Sequence, residues 1–119
     1  MRLLPLLLLT ACAAGPAGEA DLSEELAGRS AGPPQDCVPA STLGNLAPRD
    51  SMTLAYRSGD TIWLNRLAAT CPALRPTSTL IVEAHGSQYC RGDRFRTVEP
   101  GQSIPGGSCV LGPFTPWRR

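Results

Sequence analysis

Four cysteines spread through the last two-thirds of the chain, Cys37, Cys71, Cys90 and Cys109, constrain the fold more than any other feature. Folding information runs from Asp36 to Arg119, about 84 residues, and a domain of that size buries only a modest share of its surface. Exported domains make up such a deficit with covalent cross-links, because their compartment is oxidising. An even number of cysteines then reads as a disulfide framework. The competing arrangement is a zinc site made of four thiolates. Such a site normally contains a C-x2-C pair, which this chain lacks, and the intervals here are wide.

Four cysteines admit three connectivities, and hairpin geometry favours one of them. Residues Ser51 to Arg57 alternate, with Met52, Leu54 and Tyr56 on one face. Ser58-Gly59-Asp60 makes a tight turn, and Thr61 to Leu67 returns with Ile62 and Leu64 alternating against Trp63 and Leu67. The approach to the first strand then lies near the exit of the second, which favours Cys37–Cys71. A second hairpin runs from Arg94 to Val98, turns through Pro100-Gly101 to Gly106-Gly107, and returns near Cys109 to Leu111. Its open end favours Cys90–Cys109. Each closed loop contributes roughly 3 to 4 kcal/mol in the chain-entropy account, against a net stability of about 5 to 15 kcal/mol for a typical domain.

Thr77 to Glu83 is a β-branched apolar run and reads as a central strand. Phe114 and Trp117 are expected to close one mouth of the core, leaving Arg118 and Arg119 in solvent. The expected fold is mainly β: a small antiparallel sheet or half-barrel of about five short strands, stapled by disulfides and preceded by a disordered tether.

Ahead of the domain, Met1 and Arg2 precede the apolar run Leu3 to Leu9, broken only by Pro5. The run is too short to span a bilayer, which takes about 20 apolar residues, and matches the apolar region of a signal peptide. Leu9-Thr10-Ala11-Cys12 follows it directly and resembles the lipobox of bacterial lipoproteins. The resemblance implies removal of residues 1–11 and diacylation of Cys12 on sulfur. One acyl chain binds membranes marginally, whereas two or three anchor stably, at roughly 0.8 kcal/mol per buried CH₂. Ala13, where an Asp would hold a lipoprotein back, resembles the pattern of those forwarded to the outer membrane and facing the periplasm. The alternative is ordinary cleavage at Ala11-Cys12-Ala13, which releases a soluble periplasmic or secreted protein. Residues 12–35 carry Gly, Pro and an acidic patch (Glu19, Asp21, Glu24, Glu25), with at most a brief helical turn over Asp21 to Ala27. They read as the lipidated cysteine and a flexible tether, and residues 36–119 as the domain.

The segments Cys37-Val38-Pro39, Asn65-Arg66-Leu67, Cys71-Pro72-Ala73-Leu74, Cys90-Arg91-Gly92-Asp93 and Cys109-Val110-Leu111-Gly112-Pro113-Phe114 resemble a family of small exported bacterial proteins. That family is a domain of unknown function with four spaced cysteines and, in many members, a lipoprotein-like leader. The likeness spans about 80 residues and implies export and disulfides, with no activity attached. Where the family usually has C-P-G-L, this chain has Ala73. If the glycine takes positive φ, Ala73 does so at a cost or the loop differs.

A net charge of +1 offers no global field for nucleic acid, and all 11 basic residues are arginine. The one histidine, His85, stands near Ser87 and Asp93, yet no nucleophile motif surrounds them. A single histidine without a carboxylate cluster predicts neither metal nor cofactor. Arg91-Gly92-Asp93 spells an adhesive tripeptide, although a turn braced by Asp93 is the simpler reading. Arg91, Arg94 and Arg96 form a candidate anion-binding row, with Arg94 and Arg96 on one strand face and Phe95 on the other. The same row also suits the wet face of an edge strand. The residues thus point to a non-enzymatic structural or interaction module, held at the membrane by its lipid and meeting an envelope protein or glycan. A small binding or inhibitor domain for a glycan or protease is the alternative, with a groove lined by Trp63, Trp117 or Tyr56.

Overall fold

A computed structural model of the chain describes residues 17–43 and 46–119. The signal-like leader and Cys12 lie outside the described residues. The elements in chain order are α1 (Ala17–Leu26), β1 (Ser30–Ala31), β2 (Cys37–Pro39), α2 (Ala40–Leu43), β3 (Ala47–Pro48), β4 (Thr53–Ser58) and β5 (Thr61–Arg66). They continue with β6 (Thr79–Val82), β7 (Gln88–Cys90), β8 (Arg94–Val98), β9 (Ser108–Val110) and β10 (Phe114–Arg118). Every strand pairing is antiparallel: a five-stranded sheet in the order β1-β10-β5-β4-β3, a pair β2-β7, and a three-stranded sheet β6-β8-β9.

The two expected hairpins form. Ser58 pairs with Thr61, so β4 and β5 join through Gly59-Asp60, with Gly59 at φ 59°. A positive first loop dihedral matches the twist of the strands it joins, and glycine adopts it without Cβ strain. β8 pairs with β9 from Arg94↔Val110 to Arg96↔Ser108.

The strand alternation of β4 and β5 creates two apolar faces rather than one. Leu54, Trp63 and Phe114 join Val38, Leu43, Phe95 and Leu111 in the main core. Ala55, Ile62 and Leu64 face the other way, and α1 covers them with Leu22 while Leu26 and Trp117 pack at the margin. Arg49 holds the helix in place: its guanidinium meets the Glu25 carboxylate at 2.8 to 3.0 Å. Residues 22–35, the end of the segment read as a tether, lie against the domain. Ser30 and Ala31 pair with Arg118 and Trp117, and Gln35 bridges to Phe114. A second apolar face needs a cover, and this segment supplies it.

Two further expectations change. Thr79–Val82 is the outer strand of its sheet, not a central one, with Thr79 and Ile81 exposed. Phe114–Arg118 is an inner strand between β1 and β5, not a cap over the core.

The disulfides pair Cys37 with Cys90 and Cys71 with Cys109, not the pairs favoured by hairpin closure. Cys37 stands directly opposite Cys90 in the β2-β7 ladder, a pairing between segments 53 residues apart that no hairpin announces. Cys71, fully buried after β5, meets Cys109, which lies opposite Phe95 on the inner face of β9. Closing loops with sequence separations of 53 and 38 is worth about 4 kcal/mol each in the chain-entropy account. Leu74 N–H donates to the Cys71 carbonyl at 3.0 Å, so Cys71-Pro72-Ala73-Leu74 is a turn, and Ala73 keeps an ordinary negative φ.

One buried side chain completes the central sheet. Asn65 donates from Nδ2 to the Gly112 carbonyl and accepts the Gly112 N–H at Oδ1, both at 2.8 Å. Its amide thus acts as a strand where β10 has not yet begun. A Cβ on Gly112 would sit 2.0 Å from the Arg66 carbonyl oxygen, so only glycine fits there. Asn65→Ala strands a buried N–H and carbonyl and should cost roughly 2 to 4 kcal/mol, read by thermal or urea unfolding. Gly112→Ala should abolish the folded state. An Asn65→Ala variant within experimental error of wild type would remove this bracket from the account.

Candidate functional site

β8 alternates strictly: Arg94 and Arg96 are exposed, while Phe95 and Thr97 are buried. Phe95 and Thr97 face Val82, Leu80 and Cys109, so the inner side of the β6-β8-β9 sheet rests on the main core. The outer side faces solvent. Arg96 lies opposite Ile81 on one flank and Ser108 on the other; Arg94 lies opposite Val110 on one flank and Glu83 on the other. Ile81 is 48% and Val110 50% exposed, among the few large apolar side chains so open. The face thus presents two guanidinium groups between two aliphatic side chains. Neither arginine has a carboxylate within 4.0 Å among the described residues, although Glu83 occupies the position next to Arg94.

β8 is the middle strand of its sheet, so the arginines do not guard an edge as the edge-strand reading supposed. Arg91 lies apart from the pair, in the turn before β8, where its N–H donates to the Asp36 carbonyl at 2.6 Å. The sequence row of three therefore becomes a pair. By residue type alone, Ile81 is indistinguishable from its half-buried neighbours Leu80 and Val82. The sign was there: Thr79 and Glu83 share the phase of Ile81, and two polar residues in phase mark a face that meets water.

Asp93 is 8% exposed and already committed. Its Oδ2 accepts the Cys90 N–H at 2.8 Å, and its own N–H donates to the Cys90 carbonyl, closing the Arg91-Gly92-Asp93 turn. The carboxylate that an adhesive tripeptide must display is turned inward. Oδ1 lies 3.5 Å from His85 Nδ1, whose ring is 88% exposed. Ser87 uses its carbonyl to accept the Ala40 N–H. The aromatic groove does not form. Tyr56 and Trp63 are cross-strand partners on the core face, whereas Trp117 packs on the opposite face with Ile62 and Leu64.

A shallow depression of about 280 Å³ opens between the loop after β5 and the loop after β8, lined by Ala73, Arg75, Thr97, Glu99, Gln102 and Ile104. Glu99 accepts hydrogen bonds from Ser78 Oγ and from Thr77 Oγ1, the latter at 3.0 Å. The Ser78 bond lowers the Glu99 pKa most; desolvation, next in size, opposes it, and Thr77 and the Arg75 charge add smaller lowering effects. Among the described residues no group of three or more His, Cys, Asp or Glu could hold a metal ion. No helix among them is long and apolar enough to cross a membrane.

No protein-family model matches the chain, and neither a curated protein nor a solved structure does. The site therefore rests on its own geometry.

Because folding lowers the Glu99 pKa, the ionised carboxylate contributes stability above its unfolded value, and that contribution fades as pH falls through the folded value. Ser78→Ala should move the NMR titration of the Glu99 carboxyl upward. The stability gap between wild type and Glu99→Gln should shrink on acidification. A titration indifferent to Ser78 would show that the hydroxyl does not hold it.

Proposed function

We propose that this chain is an envelope lipoprotein, anchored through acylated Cys12, whose domain is a non-enzymatic interaction module for anionic groups of the envelope. The carrying observation is the outer face of the β6-β8-β9 sheet, where Arg94 and Arg96 have no ion-pair partner among the described residues and lie beside half-exposed Ile81 and Val110. A guanidinium offers a planar fork of donors that suits carboxylate, phosphate or sulfate. Aliphatic neighbours add apolar area that a hydrated ion does not use, so the face suits a ligand carrying both, such as an acidic protein segment or a substituted glycan. The two disulfides support a compartment outside the reducing cytosol, as the leader and the Leu9-Thr10-Ala11-Cys12 motif do. Binding through exposed arginines is modest, about 1 kcal/mol or less per contact, and weakens as salt screens it.

Arg94→Ala/Arg96→Ala should lower retention on heparin or on vesicles of anionic lipid while leaving thermal stability within about 0.5 kcal/mol of wild type. Retention that persists in the double variant ends the binding half of the proposal. Mass spectrometry of the membrane fraction tests the other half. A diacylglyceryl-modified Cys12 at the mature amino terminus is expected, and a free thiol at that position removes the anchor.

A further inference from the structure

The hydrogen-bond phase of the three-stranded sheet leaves one edge open. Glu83 N–H donates to the Arg94 carbonyl, so Glu83↔Arg94 is a hydrogen-bonded pair of the antiparallel ladder. Such pairs alternate along the ladder, so Ile81↔Arg96 and Thr79↔Val98 are bonded pairs as well. Leu80 and Val82 consequently aim their N–H and carbonyl groups away from β8. No backbone partner meets those groups among the described residues. Exposed edges are usually blunted by charge, proline or a bulge. β6 reads Thr-Leu-Ile-Val, with its nearest charge, Glu83, just beyond the end. The edges of the five-stranded sheet, by contrast, are two-residue strands.

From this we infer that β6 pairs antiparallel with β6 of a second copy of this chain, on a two-fold axis through Ile81, giving a continuous six-stranded sheet. The register follows from the free groups. Outward-pointing residues must meet outward-pointing residues, so Leu80 bonds Val82 of the second copy and Val82 bonds its Leu80, forming four backbone hydrogen bonds. Ile81 then falls opposite Ile81 in a non-hydrogen-bonded pair, where side chains approach most closely. That pairing covers an isoleucine now 48% exposed. Thr79 falls opposite Glu83 at both ends, a hydroxyl facing a carboxylate, so no like charges meet across the seam. Leu80 and Val82, half-buried on the inner face, continue the apolar layer beneath it.

The symmetry is particular to this segment. A two-fold at Ile81 matches apolar to apolar at the centre and polar to polar at the ends. An acidic extended peptide from another protein would form the same backbone bonds and would set its charges towards Arg96, but it lacks the reciprocal Thr79–Glu83 match. Self-pairing also places Arg94 and Arg96 of both copies on one face. The two β8 strands lie three strand spacings apart, about 14 Å. A ligand with two anionic groups at that separation would engage both arginine pairs and gain from the linkage.

Sedimentation velocity of the full chain from about 10 μM to about 1 mM should show reversible dimerisation, a range that brackets weak two-strand association. Ile81→Lys sets two ammonium groups opposite each other and should weaken the dimer at least about tenfold, with far-UV circular dichroism and both disulfides unchanged. Crosslinking reads the register independently of that variant. Ile81→Cys should oxidise to a covalent dimer, because a non-hydrogen-bonded pair spans about 4.5 Å between Cα atoms, within disulfide reach. Thr79→Cys alone should not crosslink, whereas a mixture of Thr79→Cys and Glu83→Cys chains should. A wild-type chain that stays monomeric throughout the range overturns the inference. So does a dimer that survives Ile81→Lys, or Thr79→Cys crosslinking with itself as readily as Ile81→Cys.

Discussion

Two crossed disulfides hold together parts that could not stand alone. A two-stranded pair such as β2-β7 is marginal in water, and a three-stranded sheet with a wet outer face is little better. Cys37–Cys90 locks the first into register at its end, and Cys71–Cys109 ties β9 to the loop that leaves β5. Each bond reaches past a cysteine of the other along the chain. The core residues Phe95, Leu111 and Val38 fill the space these bonds define.

Within that frame the central hairpin carries the densest packing. Ile62, Trp63, Leu64 and Asn65 are consecutive and all buried, which is possible only because both faces of β5 are covered. α1 covers one face and the remaining sheets cover the other. The cost is a polar group in the interior, and the Asn65–Gly112 exchange of hydrogen bonds meets it. The solvent-facing arginines sit on the far side of the same assembly, on a strand whose alternate residues are anchored by Phe95. Their position is thus fixed by the core beneath, although their side chains are exposed.

Local patterns in the sequence announced local structure. Alternation around Gly59-Asp60 and around the Pro100–Gly107 loop gave both hairpins, and Phe95 between two arginines gave the orientation of β8. What the residues did not announce were contacts made across long separations. β2 meets β7, and β1 meets β10, through segments of two to five residues whose partners lie about fifty or more positions away. No short window holds that information. The favoured disulfide pairs failed for this reason, since they assumed that cysteines near one hairpin close that hairpin. The apolar residues of α1 are too few to announce a packed helix by themselves. Its need became visible only from the apolar second face of Ile62 and Leu64. For the candidate face, Arg94 and Arg96 were legible from their spacing, whereas Arg91 was misjoined to them because a turn intervenes.

The interleaved bonding pattern carries a consequence for biogenesis. A chain threaded amino terminus first into an oxidising space delivers Cys37 and Cys71 well before their native mates arrive, and thiols join whichever neighbour is at hand. Consecutive oxidation during delivery would therefore yield the wrong isomer. Native linkage has to await arrival of Cys90 and Cys109 or be reached by later thiol exchange. In such a compartment, maturation would depend on the reshuffling capacity of the surroundings more than on the rate of delivery.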